Sequence, residues 1–182
     1  VSTMLDLQRQ FPGSLYADDA LFEAANTSLE QRKNSTAIGY YQKLLKDYPN
    51  SQYKVESYLK LGLIYFNEKN YTKSVASYEK VLELAPNTSK AKEAFAGIQE
   101  VAIATGDKSI VLNTMKKYNV HVDEADELNY RIAENQFIKK NYTQAIKLFN
   151  EYLIGFSKGA YALNAHYYRG DSYIETDKYL EA

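Results

Sequence analysis

The sequence predicts an all-α protein built of antiparallel helix hairpins stacked along the chain. Three observations predict it. First, the 182 residues repeat themselves: Phe11-Pro12-Gly13-Ser14-Leu15-Tyr16 returns 37 residues later as Tyr48-Pro49-Asn50-Ser51-Gln52-Tyr53, and after another 37 as Ala85-Pro86-Asn87-Thr88. A further copy is Phe156-Ser157-Lys158-Gly159-Ala160-Tyr161. Second, an independent marker keeps the same frame, since Lys69-Asn70-Tyr71-Thr72-Lys73-Ser74 recurs 71 residues on as Lys140-Asn141-Tyr142-Thr143-Gln144-Ala145. Third, Gly (8) and Pro (3) are too few for a turn-rich β protein, while 45% of the chain is hydrophobic. A fixed step of this size marks stacked supersecondary units.

Taken in order, residues 1–17 read as the second helix of a preceding unit and its junction. Thr3-Met4-Leu5-Asp6-Leu7 leads into Phe11-Pro12 as Tyr40-Tyr41-Gln42-Lys43-Leu44 leads into Tyr48-Pro49. Units follow at 18–54 and 55–91. In the latter, Tyr58, Leu61, Gly62, Tyr65 and Phe66 form one apolar stripe, and Val75, Tyr78, Val81, Leu82 and Ala85 form a second. Gly62 lets the two helices approach closely. Asn70 is placed to cap the second helix, and Pro86 stops it because proline cannot continue the hydrogen-bond ladder. Residues 92–125 form a degenerate unit, in which shifted or looser packing is expected. Residues 126–162 form a regular unit and 163–182 a partial one. Neither helix of a unit can hide its stripe alone, so each hairpin packs on itself and on its neighbours.

This pattern resembles the tetratricopeptide repeat family. The unit from Val55 carries the family's aromatic, Leu-Gly, Tyr, small, aromatic, small and Pro sequence as Tyr58, Leu61-Gly62, Tyr65, Ser74, Tyr78, Val81 and Pro86. The unit from Asp18 gives Leu21, Ala24-Ala25, Ser28, Ala37, Tyr41, Leu44 and Pro49. That from Asp126 gives Asn129, Ile132-Ala133, Gln136, Ala145, Phe149 and Tyr152, then Ser157 in place of Pro. The unit from Lys92 departs most, with Gln99 where Gly or Ala is usual, Tyr118 at a small-residue place and Asp123 for Pro. The resemblance implies a single right-handed α–α superhelix over 1–182, truncated at both ends. The 37-residue step and Pro-x-Ser-x-Tyr junctions are similar to bacterial envelope members of the family, of the outer-membrane assembly lipoprotein or Tol–Pal accessory type. That implies the periplasm or the outer membrane, with the cytoplasm as the alternative.

Catalytic signals are absent from the sequence. There is no Cys, hence no thiolate nucleophile or thiolate metal site. No His-Glu-x-x-His, Gly-rich phosphate loop or Gly-x-Ser-x-Gly elbow occurs. His166 falls on an aromatic packing place and is expected to be packed, while His121 reads as a loop residue. No enzyme activity, cofactor or metal is expected. A net charge of −1 gives no basic field for nucleic acid, and no apolar run is long enough to span a membrane. The 18 Tyr fall largely on repeated places and read as packing. Tyr40, Tyr118, Tyr130, Tyr167 and Tyr168 are freer.

The resemblance also implies that the first helices line a concave groove, with the second, fifth, ninth, twelfth and thirteenth places of each unit facing it. The second places include Asp19, Glu56, Glu93 and Glu127. The fifth include Phe22, Leu59, Tyr130 and Tyr167, and the ninth Asn26, Leu63, Glu100, Glu134 and Asp171. These are the candidate partner-binding residues: an acidic ladder with apolar rungs, suited to a basic, partly apolar protein or peptide. Many lysines fall instead on second helices. First-turn acids also suit the helix dipole, which could by itself account for the second places. The leading function is a non-catalytic protein–protein interaction scaffold. The alternatives are a structural array self-associating through its open ends, or a soluble-ligand or glycan binder using the freer tyrosines.

Overall fold

The computed structural model describes residues 16–119 and 125–177. The expected helix at 1–11, together with His121 and Tyr179, lies outside them. The described residues form helices α1 (Ala17–Glu30), α2 (Asn34–Asp47), α3 (Lys54–Asn67), α4 (Tyr71–Leu84), α5 (Ser89–Thr105), α6 (Ser109–Tyr118), α7 (Ala125–Ile138), α8 (Tyr142–Gly155) and α9 (Ala162–Glu175). No strand occurs among them. The chain divides into two compact units, Val1–Gly97 and Ile98–Ala182, with the division inside α5. In the first, α1 packs on α2, α2 on α3 and α3 on α4. In the second, α7 packs on α8 and α9 on both. The fold class is all-α helix hairpins, as the periodicity predicts.

Every described first helix is followed by a left-handed residue at the fifteenth place of its unit. There Arg32, Lys69, Gly106, Lys140 and Asp177 have φ of 58°, 58°, 76°, 61° and 59°. After α1, the Arg32 N–H donates to the Leu29 carbonyl (2.8 Å) and the Lys33 N–H to the Ser28 carbonyl (2.8 Å). This is a Schellman closure, with the left-handed residue immediately beyond the C-cap. Lys69 and Asn70 repeat it on Phe66 and Tyr65, and Lys140 and Asn141 on Phe137 and Gln136. Gly106 alone has the residue type that the conformation favours. The degenerate third unit thus keeps the turn even where its side-chain pattern fades.

The third unit differs at its helix ends. α5 starts three residues before Lys92, whereas α1, α3, α7 and α9 start one residue before their units. α6 has 10 residues against 14 in α2, α4 and α8, and closes at Asn119 with φ 52°. Phe95 and Ile98 are nonetheless buried. Proline is dispensable at the helix stop. α8 ends at Gly155 without one, and the Phe156 N–H donates to the Tyr152 carbonyl at 2.7 Å.

The core of the first unit joins Leu21, Phe22, Tyr41, Leu44, Leu61 and Tyr65. Asn70 caps α4 as expected, accepting from the Lys73 N–H at 3.3 Å. Asn141 makes no such cap. Its amide N–H donates to Oε1 of the buried Gln136 at 3.1 Å. The Tyr78 ring lies between two glycines. A Cβ added to Gly62 would meet it at 2.5 Å, and one added to Gly97 at 2.4 Å. Gly62→Leu is therefore expected to force α3 and α4 apart at a cost of about 1–3 kcal/mol. Thermal denaturation checks this, and an unchanged midpoint would refute the close approach.

Burial pushes the phenol of Tyr78 up to about 12. Burial, and then the hydrogen bond to Asp126, do the same for Tyr152. The protonated phenol is the form the fold prefers, so its contribution is complete below the unfolded value of 10.0 and is lost as pH rises through about 12. Stability is expected to fall with pH over that window. Tyrosinate absorbance should lag for these two side chains until helicity, followed by circular dichroism, is lost. Full tyrosinate formation in a still-helical protein would contradict it.

Candidate protein-binding surface

In the first unit, α1 and α3 flank an open hollow of about 480 Å³. Phe22 and Leu29 supply its apolar surface, Asn26 its amide, and Glu23, Glu30 and Glu56 its carboxylates, with Lys60 the one cation among the lining residues. The Asn26 carbonyl oxygen accepts from the Tyr41 hydroxyl at 2.6 Å, which fixes the amide. Phe22 stacks on Tyr53 with centroids 4.3 Å apart. Asp19 lies beside the same ring, and its hydrogen bond is the largest cause pushing the Tyr53 phenol up.

The acidic ladder does not stand bare. Glu56 holds Lys90 at 2.5 Å and Lys60 at 3.7 Å, and Glu93 lies 3.7 Å from Lys90. The hydrogen bond to Glu56 is what chiefly holds the Lys90 ammonium above its ordinary value. In the second unit, Arg131 reaches Glu100 at 3.0 Å. Glu134 accepts from the Tyr130 hydroxyl at 2.8 Å. Glu127 and Asp171 are half-buried.

The apolar candidates separate by burial. Phe22, Leu59 and Tyr130 are buried, whereas Leu63 and Tyr167 are 50% and 69% exposed. Tyr130, expected to be freer, stacks on Tyr161 at 4.7 Å, and burial is the main cause raising its phenol pKa. Tyr168, also expected to be freer, packs on Phe137 at 4.8 Å. Both corrections have one cause: a junction tyrosine or neighbouring helix folds back over the ring. His166 is corrected in the other direction. It is exposed, 3.4 Å from Arg169, because the described residues place no helix over that side of α9. Leu163 (81% exposed) and Ile174 (48%) are open there too.

First-turn acids also hold junctions. Asp18 accepts from the Ser51 hydroxyl at 2.6 Å. Asp126 accepts from the Tyr152 hydroxyl at 2.5 Å and from the Ala160 N–H at 2.8 Å. A Cβ on Gly159 would collide with that Asp126 carboxylate at 2.6 Å.

Residues 19–51 and 55–88 each match a family model described as tetratricopeptide repeat. The first unit carries tetratricopeptide repeats. Among solved structures, a tetratricopeptide repeat protein from Parabacteroides merdae ATCC 43184 superposes with a TM-score of 0.56 at 15% identity. The match covers 97% of this chain and 66% of that one, so this chain spans just under two thirds of that protein's length. The MamA protein superposes with a TM-score of 0.53 at 17% identity, covering 91% of this chain and 86% of that one. At these identities the likeness is one of fold. No curated protein matches the chain.

Tetratricopeptide repeats generally mediate protein–protein interactions and are generally non-catalytic. The candidates Phe22, Asn26 and Glu56 meet in one hollow, between the first helices of two successive repeats. Leu29 and Glu30 occupy the twelfth and thirteenth places, so the repeat pattern could have supplied them. Glu23 and Lys60 share the sixth place, for which the pattern gave no signal. Among the described residues no helix is long and apolar enough to cross a membrane.

Proposed function

We propose that the chain is a non-catalytic scaffold whose hollow between α1 and α3 takes a basic, partly apolar segment of a partner protein. The observation that carries this is the lining: Glu23 and Glu30 stand with Glu56, which Lys60 and Lys90 engage, beside the apolar surface of Phe22 and Leu29. Apolar contact supplies most of the affinity, and the charge excess sets register and association rate. Glu23 and Glu30 are the informative positions, because Glu56 is engaged by Lys60 and Lys90. A fluorescent Lys/Leu peptide is expected to bind, with affinity falling between low and high salt, and Glu23→Lys with Glu30→Lys should weaken it at least tenfold. Equal binding by the double variant would end the proposal.

A second reading has its own observation. Leu163, Tyr167 and Ile174 leave an apolar strip on α9, which supports self-association through that face. Sedimentation over a range of concentrations, repeated with Leu163→Glu and Tyr167→Glu, separates the two readings. The repeat spacing and the junctions support a location in the bacterial periplasm or at the outer membrane. Fractionation of the native host tests that against the cytoplasm.

A further inference from the structure

A second hollow in the first unit lies on the other side of the hairpin stack, between the second helices. It has about 530 Å³ and is bounded by one face each of α2, α3 and α4. Leu61, Tyr65 and Ser77 are its buried lining residues, Leu45, Tyr58 and Ala76 its accessible apolar ones, and Lys46, Lys73 and Lys80 stand around it. The small side chain of Ala76 opens the space, and Leu45 and Tyr58 are only half-buried. No carboxylate lines it. Lys80 pairs with Glu83 at 2.7 Å at the margin. Neither Lys46 nor Lys73 is in an ion pair among the described residues, and the Lys73 ammonium sits 5.3 Å over the Tyr65 ring. That ring is fixed by the Gln42 amide, which donates to its hydroxyl at 3.1 Å. The basic, apolar lining is thus the charge opposite of the hollow between α1 and α3.

We infer that this hollow is a second protein-docking site, for an acidic segment that inserts an apolar side chain over Tyr58 and Ala76 and sets carboxylates against Lys46 and Lys73. The unpaired ammoniums select the sign of the partner. A basic segment would set like charges against Lys46 and Lys73, beside a lining that contains no carboxylate. The two hollows therefore discriminate by charge, and one chain can hold two partners of opposite character on opposite sides of the same hairpins.

The test uses the 182-residue chain and two synthetic peptides of equal length, one of Glu and Leu, the other of Lys and Leu. Amide resonances are followed by NMR and affinity by fluorescence anisotropy. The Glu/Leu peptide is expected to shift the resonances of Tyr58, Lys73 and Ala76, and Lys46→Glu with Lys73→Glu should weaken it at least tenfold. Ala76→Trp, which puts a bulky ring into the hollow's lining, should weaken it similarly, while Lys147→Glu in the second unit should leave it within twofold. Thermal midpoints confirm that the variants fold. Binding that ignores these substitutions, or shifts confined to residues outside the hollow, would overturn the inference. So would concentration-dependent self-association abolished by Lys46→Glu and Lys73→Glu without peptide, since the occupant would then be a second copy of the chain. The Glu23→Lys and Glu30→Lys experiment reads the other hollow, so either site can fail while the other stands.

Discussion

Phe149→Ala is expected to destabilise the second unit by about 3–5 kcal/mol, the range for emptying a fully buried aromatic site. Phe149 is 0% exposed on α8. Its ring centroid lies 6.2 Å from Tyr130 of α7 and 6.3 Å from Tyr168 of α9. Tyr130 in turn is stacked on Tyr161 and bonded to Glu134. Planar rings held in this way cannot swing inward to fill a void, which puts the effect near the top of the range. The side chain also touches both its own hairpin and the helix that follows. Its removal therefore loosens the stacking between hairpins as well as the hairpin itself. Urea denaturation followed by helicity measures the loss, and a change below about 1 kcal/mol would show that the cluster carries little of the unit's stability.

Leu61→Ala should cost about 2–5 kcal/mol in the first unit. Leu61 is 4% exposed and belongs to the cluster with Leu21, Tyr41 and Leu44. It also lies along the wall of the basic hollow. Solvent can follow the truncated side chain there, so the new space need not stay an empty cavity. The value is accordingly expected in the lower half of the range, below that of Phe149→Ala. The same urea experiment checks the order, and reversal would mean that the basic hollow closes over Leu61 in solution.

The repeat frame made several details readable in advance. Tyr41 and Tyr78 stand in the core, Asn70 caps α4, and Gly62 sits against a ring, because each depends on contacts within one hairpin whose spacing is written in the chain. The twin inclined ring pairs Phe66–Tyr71 and Phe137–Tyr142 follow from the same frame, at 5.9 Å and 5.7 Å. Lys69 and Lys140 gave no hint of a left-handed turn, since lysine has no preference for it. The Schellman bonds on either side impose it. Nor could the ladder of acids reveal its cations. Lys90 is 34 residues from Glu56, and Arg131 is 31 from Glu100, so those pairs exist only after helices pack.

What the sequence alone determined is the helix hairpin, its 37-residue step and the residues that fill its interior. These follow from apolar periodicity, which is local. Which surface side chains meet was decided by tertiary structure alone: three carboxylates and one ammonium between α1 and α3, and three ammoniums around Ala76. Side chains brought together from separate helices carry no shared period along the chain, so their summed charge exists only in the folded protein.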